Sequence, residues 1–271
     1  MGQPAPAGQR AAAVVVTRPG RECARWVEAL QARGLRALAL PLIAIAPPPD
    51  TRPVQEAWRR LEEFSAVMFV SANAVEQFFM QKPPAVHTGW AQFAIKTRAW
   101  APGPGTAAAL VQAGVDAAMV DAPAPDAPQF DSEALWQVVA GQVPAGGRVL
   151  VVRGGDGDGN GAGREWLAGQ LAASGVQVET VVAYVRHAPV WDAQQLAQAH
   201  AAAGDGSVWL FSSSQAVAHL TDLLPGQDWA SARALATHPR IAQAARAAGF
   251  GVVWESRPAV GAVAAALESI R

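Results

Sequence analysis

F-V-S-A-N-A-V (69–75) and F-S-S-S-Q-A-V (211–217) align position by position without a gap, and they share Phe, Ser, Ala and Val. The later stretches 98–114 and 233–249 align in the same way. In each copy an apolar run precedes a run with helical spacing, which predicts a strand, a turn and a helix in that order. The chain therefore contains an internal repeat, and we expect a fold built from two similar halves.

A third pair of segments extends the repeat towards the N-terminus. T-R-P-G (17–20) and the helical run after it have a looser counterpart in V-R-G-G (152–155) and its following run. The series strand, turn and helix is thus predicted three times in each half.

The same alternation continues along the whole chain, which is typical of an α/β protein with mainly parallel strands. The pattern predicts strands at 13–17, 35–39, 66–70, 98–101, 117–120, 148–152, 207–211, 232–236 and 252–254. It predicts helices near 20–33, 53–63, 73–81, 105–113, 132–140, 164–174, 192–202, 214–223, 239–248 and 259–270. Two extended segments that end in proline, 41–49 and 176–189, interrupt the alternation and are predicted to connect two lobes.

Composition excludes several classes of function. A chain of 271 residues, 51% of them apolar, can bury two modest cores. Its net charge of −1, without a basic run, argues against a nucleic-acid-binding protein. Cys23 is the one cysteine, the N-terminus has no signal-peptide core, and no apolar stretch could span a bilayer. We therefore expect a cytoplasmic protein with no membrane partner.

Four of the repeated turns are candidate anion sites. Each turn follows a strand and begins a helix, where free backbone N–H groups and the positive end of the helix dipole attract negative charge. A plain helix cap is the alternative for any single turn, because Ser and Asn are favoured N-caps. Four matched turns favour a cleft that binds a polyanion. The candidate residues are Ser71 and Asn73, Gly103 and Thr106, Ser212, Ser213 and Ser214, and His238 and Arg240.

Further candidates lie beside these turns. Arg18, Arg153 and Arg164 flank the first turn of each half, although a surface arginine is more often simply solvated. Tyr184, the one tyrosine, falls on the second connector, where a phenol could donate a proton and where packing is the alternative role. The five histidines have no metal-ligand spacing, so no metal or cofactor is predicted.

The Gly-rich stretch 151–167 fits two ligand-binding patterns in part. As a calcium loop it has Asp156 and Asp158 in place, but Leu167 stands where a bidentate Glu must close the site. As a dinucleotide turn it matches G-x-G-x-x-A at 157–162, which is weak evidence in a run with so many glycines. The stretch alone does not identify a ligand.

In their order and spacing, six motifs make the chain resemble the uroporphyrinogen-III synthase family over essentially its full length. The motifs are V-V-V-T-R-P (14–19), F-V-S-A-N-A-V (69–75), A-P-G-P-G-T-A-A-A-L (101–110), V-V-R-G with G-R-E-W-L (151–154, 163–167), V-V-A-Y-V-R (181–186) and F-S-S-S-Q-A-V (211–217).

The resemblance implies two flavodoxin-like parallel-sheet lobes joined by a two-stranded β connector, and it replaces consecutive halves with interleaved ones. The first lobe would comprise 1–40 with 188–271, and the second 50–175. The connector strands would be 41–49 and 176–187.

The implied reaction is cyclisation of hydroxymethylbilane to uroporphyrinogen III, with loss of water and inversion of the last ring. The hydroxyl leaves to give an azafulvene, the substituted carbon of ring D attacks to give a spiro-pyrrolenine, and fragmentation and reclosure follow. The resemblance implies a cofactor-independent, monomeric lyase of haem biosynthesis, in transient contact with the enzyme that makes hydroxymethylbilane.

The resemblance also assigns roles to the candidate residues. Tyr184 would donate a hydrogen bond to the departing hydroxyl, and the turns would bind the acetate and propionate arms. At the last turn many members have G-P-x-T, where this chain has H-P-R-I (238–241), so His238 and Arg240 are expected to replace the missing hydroxyl as carboxylate ligands. The loop 154–163 would lie at the cleft rim. Two rivals remain: a non-catalytic bilobal binding protein and a dinucleotide enzyme.

Overall fold

The computed structural model describes residues 13–84, 96–124, 126–127, 129–155 and 161–270, without the side chains of 161–164. The strands are β1 (Val14–Val16), β2 (Ala37–Ala39), β3 (Ala44–Ala46), β4 (Ala66–Phe69), β5 (Arg98–Trp100), β6 (Val120–Asp121), β7 (Arg148–Gly154), β8 (Gln177–His187), β9 (Val208–Phe211), β10 (Arg233–Ala236) and β11 (Val252–Glu255). The helices are Gly20–Gln31, Arg52–Arg59, Ala72–Met80, Pro104–Gln112, Ser132–Val139, Gly161–Ala173, Ala193–Gly204, Ser214–Leu223, Pro239–Ala247 and Val260–Ser269.

The chain divides into two compact units, each with its own sheet. The first unit is Met1–Ala44 with His187–Arg271, and the second is Ile45–Arg186. In the first, five strands lie in the order β11-β10-β9-β1-β2, and all pairs are parallel. In the second, six strands lie in the order β3-β8-β7-β4-β5-β6, and the pairs from β8 to β6 are parallel. The protein is a mixed α/β protein with parallel sheets.

The strand orders explain the internal repeat. The order β2-β1-β9-β10-β11 in the first unit corresponds, place by place, to β8-β7-β4-β5-β6 in the second. The segments that align in sequence therefore occupy equivalent positions in the two sheets: β4 with β9, β5 with β10, and β7 with β1. The chain visits these positions in a different order in each unit, so the halves are not consecutive.

Both faces of the second sheet are buried. Along β4, Val67 and Phe69 belong to one apolar cluster, whereas Ala66 and Met68 belong to another on the opposite face. Side chains of a strand alternate between faces, and a parallel sheet covered by helices on both sides reads as a continuous apolar run. Full burial of one large apolar side chain contributes about 1.5–3 kcal/mol, so these clusters hold the strand ends in fixed positions.

Three predicted elements differ from the structure. At 117–120 a 3-10 helix, Ala117–Met119, precedes the two-residue β6, because the Asp116 carboxylate accepts the N–H of Ala118 and caps the turn. The predicted helix 53–63 ends at Arg59 and continues as a separate 3-10 helix, Leu61–Glu63. The first extended segment contains only the short β3, since its three prolines at 47–49 cannot donate to a strand ladder.

Candidate functional site

The four candidate turns all connect the carboxyl end of a parallel strand to the start of a helix. In the second unit they follow β4 and β5, and in the first unit they follow β9 and β10. Ser71 Oγ accepts the N–H of Ala74 at 3.2 Å, and Ser213 Oγ accepts the N–H of Gln215 at 3.2 Å. Each hydroxyl satisfies one of the N–H groups that a helix start leaves without an intrahelical partner.

The repeat places Ser71 and Ser213 at the same N-cap position. Asn73 and Gln215 are the second residues of the two helices. Asn73 was predicted from the sequence, whereas Gln215 was missed, although the alignment of the two copies pairs them. In the described part of the chain, Ser214 Oγ and Gln215 Oε1 are buried and have no hydrogen-bond partner. Polar atoms of this kind are uncommon in proteins, and here they lie at a predicted binding turn. Ser212, just before the cap, is half-buried.

The turn after β5 differs from the prediction. Gly103 caps the helix Pro104–Gln112 through its backbone alone, and Thr106 is only 7% exposed. The Thr106 side chain is therefore buried, although the sequence made its hydroxyl a candidate ligand for an anion. A Cβ on Gly103 would lie 3.3 Å from the Cβ of Phe130, so glycine at this position leaves room for an aromatic ring that is 44% exposed.

The turn after β10 is capped by the side chain of His238. His238 Nδ1 accepts the N–H of Arg240 at 3.1 Å, which requires that nitrogen to be unprotonated. The neutral ring then carries its proton on Nε2. Both His238 and Arg240 are exposed. Their side chains are thus accessible to an anion, with the imidazole held in one tautomer by the helix.

Tyr184 is buried rather than accessible. It lies on β8 in the apolar cluster of the second unit and is 0% exposed, so its side chain packs in the core of this unit. Its hydroxyl oxygen is 3.2 Å from Ser71 Oγ. The backbone carbonyl of Tyr184 accepts the N–H of Gly155 at 2.7 Å, which joins the glycine run after β7 to the same strand.

Arg186 was not predicted from the sequence. Two residues beyond Tyr184, it points to the same face of β8, and its guanidinium carbon lies 5.8 Å from the centre of the tyrosine ring. The motif V-V-A-Y-V-R contained the signal, because alternate residues of a strand share a face. The structure thus brings Ser71, Tyr184 and Arg186 together at the carboxyl ends of β4 and β8.

The three arginines predicted beside the first turns have different surroundings. Arg18 donates to the Glu22 carboxylate at 3.1 Å, and its guanidinium lies 4.2 Å from the Trp26 ring centre. These contacts fix it against its own helix. Arg153 donates to the Gly154 carbonyl at 3.1 Å. Arg164 lies in the helix Gly161–Ala173, but its side chain and the loop residues 156–160 are outside the described part.

Potential metal ligands are not clustered in the described part of the chain. Among the residues that the structure describes, no group of three or more His, Cys, Asp and Glu side chains is arranged to hold a metal ion. In the same part of the chain, no helix has the length and hydrophobicity needed to cross a membrane. The arrangement offers helix N-termini for carboxylates and a hydroxyl pair for proton donation.

Comparison with known proteins gives a consistent result. A family model described as uroporphyrinogen-III synthase HemD matches residues 24–265. A mutant uroporphyrinogen III synthase from the extremely thermophilic bacterium Thermus thermophilus has 18% identity and a TM-score of 0.50, with 96% of this chain and 97% of that chain covered. A uroporphyrinogen-III synthetase from Helicobacter pylori has 14% identity and a TM-score of 0.56, with 96% and 100% covered. At such identities the two structures establish likeness of fold.

Proposed function

The chain belongs to the uroporphyrinogen-III synthase family, and we propose that it converts hydroxymethylbilane to uroporphyrinogen III by means of the capped turns and the Ser71–Tyr184 hydroxyl pair. The observation that carries the proposal is this pair at the carboxyl ends of β4 and β8. Ligands of open α/β sheets bind at that edge of the sheet.

The substrate carries acetate and propionate carboxylates on every pyrrole ring. We assign these carboxylates to the first-turn N–H groups of the helices Ala72–Met80, Pro104–Gln112, Ser214–Leu223 and Pro239–Ala247, together with the exposed side chains beside them. A carboxylate at a helix N-terminus gains typically about 0.3–1 kcal/mol from the dipole, in addition to its hydrogen bonds. Several such contacts fix the conformation of a flexible linear molecule.

Fixing that conformation is the main catalytic task. Hydroxymethylbilane closes by itself to the symmetric type I isomer, so the protein must hold ring D where its substituted carbon attacks first. Orientation of reacting groups supplies up to about 7–11 kcal/mol in favourable cases without a covalent catalyst. The hydroxyl pair assists the first step by protonating the departing hydroxyl, which makes the reaction that of a lyase.

His238 and Arg240 replace the hydroxyl-bearing turn of other members. His238 Nε2–H and the Arg240 guanidinium are both donors suited to a carboxylate. We expect the joint replacement H238A/R240A to raise KM several-fold while kcat stays within about twofold, since these groups bind an arm remote from the reacting carbon. An unchanged KM would remove both residues from the site.

Several wider features belong to the same proposal. The strand order β2-β1-β9-β10-β11 supports a flavodoxin-like lobe in the first unit, and the equivalent order supports a second such lobe. From the resemblance we propose the lobe boundaries 1–40 with 188–271 and 50–175, and the connectors 41–49 and 176–187. Within the second connector, β8 also pairs with β7 and so belongs to the second sheet as well. A cytoplasmic monomer that receives hydroxymethylbilane directly from the enzyme that makes it fits the short life of this substrate.

A turnover assay tests the proposal against the non-catalytic rival. Protein at a small fraction of the concentration of fresh hydroxymethylbilane should consume the substrate many times faster than buffer alone. A binding protein at that ratio would leave the spontaneous rate unchanged, and this result would overturn the proposal. The dinucleotide rival predicts bound cofactor absorbance in the purified protein.

A further inference from the structure

The Tyr184 phenol has no open path to a substrate molecule. Its side chain is 0% exposed and packs in the apolar cluster that includes Phe69, Val75 and Phe78. A group without accessible surface cannot form a hydrogen bond to a ligand in this conformation. Ser71, whose Oγ lies 3.2 Å from the phenol oxygen, is only half-buried.

Ser71 has the bonding capacity for an intermediate role. Its Oγ accepts the N–H of Ala74 at 3.2 Å and lies 3.2 Å from the Tyr184 hydroxyl. A serine hydroxyl has one proton and two acceptor sites. When the helix N–H and the phenol both donate to Oγ, the serine proton is directed away from both donors and is available to a third group.

On the basis of the proposed function, we infer that Ser71 is the catalytic residue that touches the departing hydroxyl, and that Tyr184 acts through it as a positioning residue and proton source. In this relay, Ser71 gives its proton to the oxygen of the hydroxymethyl group while Tyr184 gives its proton to Ser71 Oγ.

The relay balances over one turnover. The C–O bond breaks with its electron pair on oxygen, the pyrrole nitrogen lone pair forms the azafulvene double bond, and water leaves with the serine proton. Tyr184 is then a phenolate. When the macrocycle closes, ring D loses its carbon-bound proton, and this loss restores the aromaticity of the ring. The proton returns through Ser71 to the phenolate. Hydroxymethylbilane thus yields uroporphyrinogen III and water with the protein unchanged.

Arg186 supports the charge that the relay creates. Its guanidinium carbon is 5.8 Å from the centre of the phenol ring, so its positive charge favours a phenolate over a neutral phenol in the transition state. The first unit lacks the whole arrangement, because Tyr184 is the one tyrosine in the chain.

A double-mutant cycle on kcat tests the relay. Loss of a general acid typically lowers the rate by about 10²–10⁴-fold, and we expect Y184F and S71N each to lower kcat within that range. Asparagine is chosen because its side-chain oxygen retains the N-cap acceptor, whereas its amide N–H groups are too weakly acidic to transfer a proton. If Tyr184 acts through Ser71, the double variant is no slower than S71N within about twofold. If Tyr184 touches the substrate directly, the two losses multiply, and the relay is overturned.

Two controls separate a relay from a structural role. S71T keeps a hydroxyl and should restore most of the rate. T97V removes another buried hydroxyl of the second unit, which donates to the Leu61 and Phe64 carbonyls, and should lower the melting temperature without changing kcat by more than about twofold.

A measurement on the unmodified protein keeps the test open even if a variant fails to fold. In mixtures of H₂O and D₂O, two protons in flight give a curved dependence of the single-turnover rate on deuterium fraction, whereas a single proton gives a straight line. A straight line in a wild type that forms the type III isomer overturns the relay but leaves the synthase function intact. A wild type that forms only type I overturns the proposed function itself.

Discussion

Ser71 and Ser213 occupy the same position in the two copies of the repeat, yet only Ser71 has a phenol beside it. Both cap a helix through Oγ, and Tyr184 is the one tyrosine in the chain. We therefore predict that S213A raises KM several-fold with little change in kcat, because it weakens a carboxylate-binding turn. S71A should lower kcat by at least about tenfold. Steady-state kinetics of the two variants check this, and equal effects on kcat would contradict the distinction.

Cys23 offers a second prediction about a single residue. Burial raises the pKa of its thiol to about 11, and the side chain is 0% exposed and donates to the Val16 carbonyl at 3.0 Å. The thiolate is the reactive form, so a thiol reagent at mildly alkaline pH should react with the native protein far more slowly than with the protein unfolded in guanidinium chloride.

The raised pKa of Cys23 also has a consequence for stability. Because the unfolded thiol ionises at lower pH than the folded one, the unfolded state gains stability as the pH rises from the ordinary thiol pKa towards about 11. Replacement by alanine should remove this part of the alkaline loss of stability.

Rapid labelling of native Cys23 at mildly alkaline pH would contradict the labelling prediction, because it would show that the helix Gly20–Gln31 opens readily.

At the scale of secondary-structure elements, an ion-pair network ties three segments of the second unit. Arg148 at the start of β7 contacts Glu63 and Glu179, and Arg60 lies 3.1 Å from Glu63 and 3.4 Å from Glu179. Arg60 and Arg148 also lie over the Phe64 ring, at 5.7 and 5.3 Å. This network stands at the amino ends of the strands, at the opposite sheet edge from Ser71 and Tyr184.

The network predicts a pH-dependent stability. Partial burial acts to raise the pKa of Glu63, but its hydrogen bonds and charge contacts with Arg60 and Arg148 hold the pKa below its ordinary value. Stability from this group is therefore complete above the ordinary carboxyl pKa and is lost as the pH falls through the lower, folded value. E63Q should be less stable than wild type at neutral pH, and the difference should shrink in acid. Denaturant melts at neutral pH and below the ordinary carboxyl pKa measure it. A difference that is constant with pH would contradict this.

Most elements were predictable from the sequence because each signal was local. The run Ala66–Phe69 and the following Ser71 predicted a strand and a capped helix, and both are present. The structure at 117–120 was not predictable, because the side chain of Asp116 stabilises a turn there that competes with extended structure. Strand periodicity was enough to predict that Arg186 lies on the same face of β8 as Tyr184. The burial of Tyr184 and Thr106 was not predictable in this way, because it depends on packing with distant parts of the chain.

At the scale of the whole molecule, the two sheets share one arrangement of strands. The chain passes through the strand positions in a different order in each sheet. The equivalent strand orders put the matched turns at the carboxyl edge of each sheet, and only the second unit has the hydroxyl pair. In the proposed function, both units bind carboxylates and the second unit performs the proton transfer. Function in such a protein depends on the geometry of several turns, none of which is distinctive alone.

The isomer composition of the product tests this account most directly. Fresh hydroxymethylbilane is incubated with the protein or with buffer, the product is oxidised to porphyrin, and the isomers are separated. The account predicts mostly type III isomer with the protein and type I with buffer. A product with protein that matches the buffer sample would contradict the claim that these turns hold ring D for inversion.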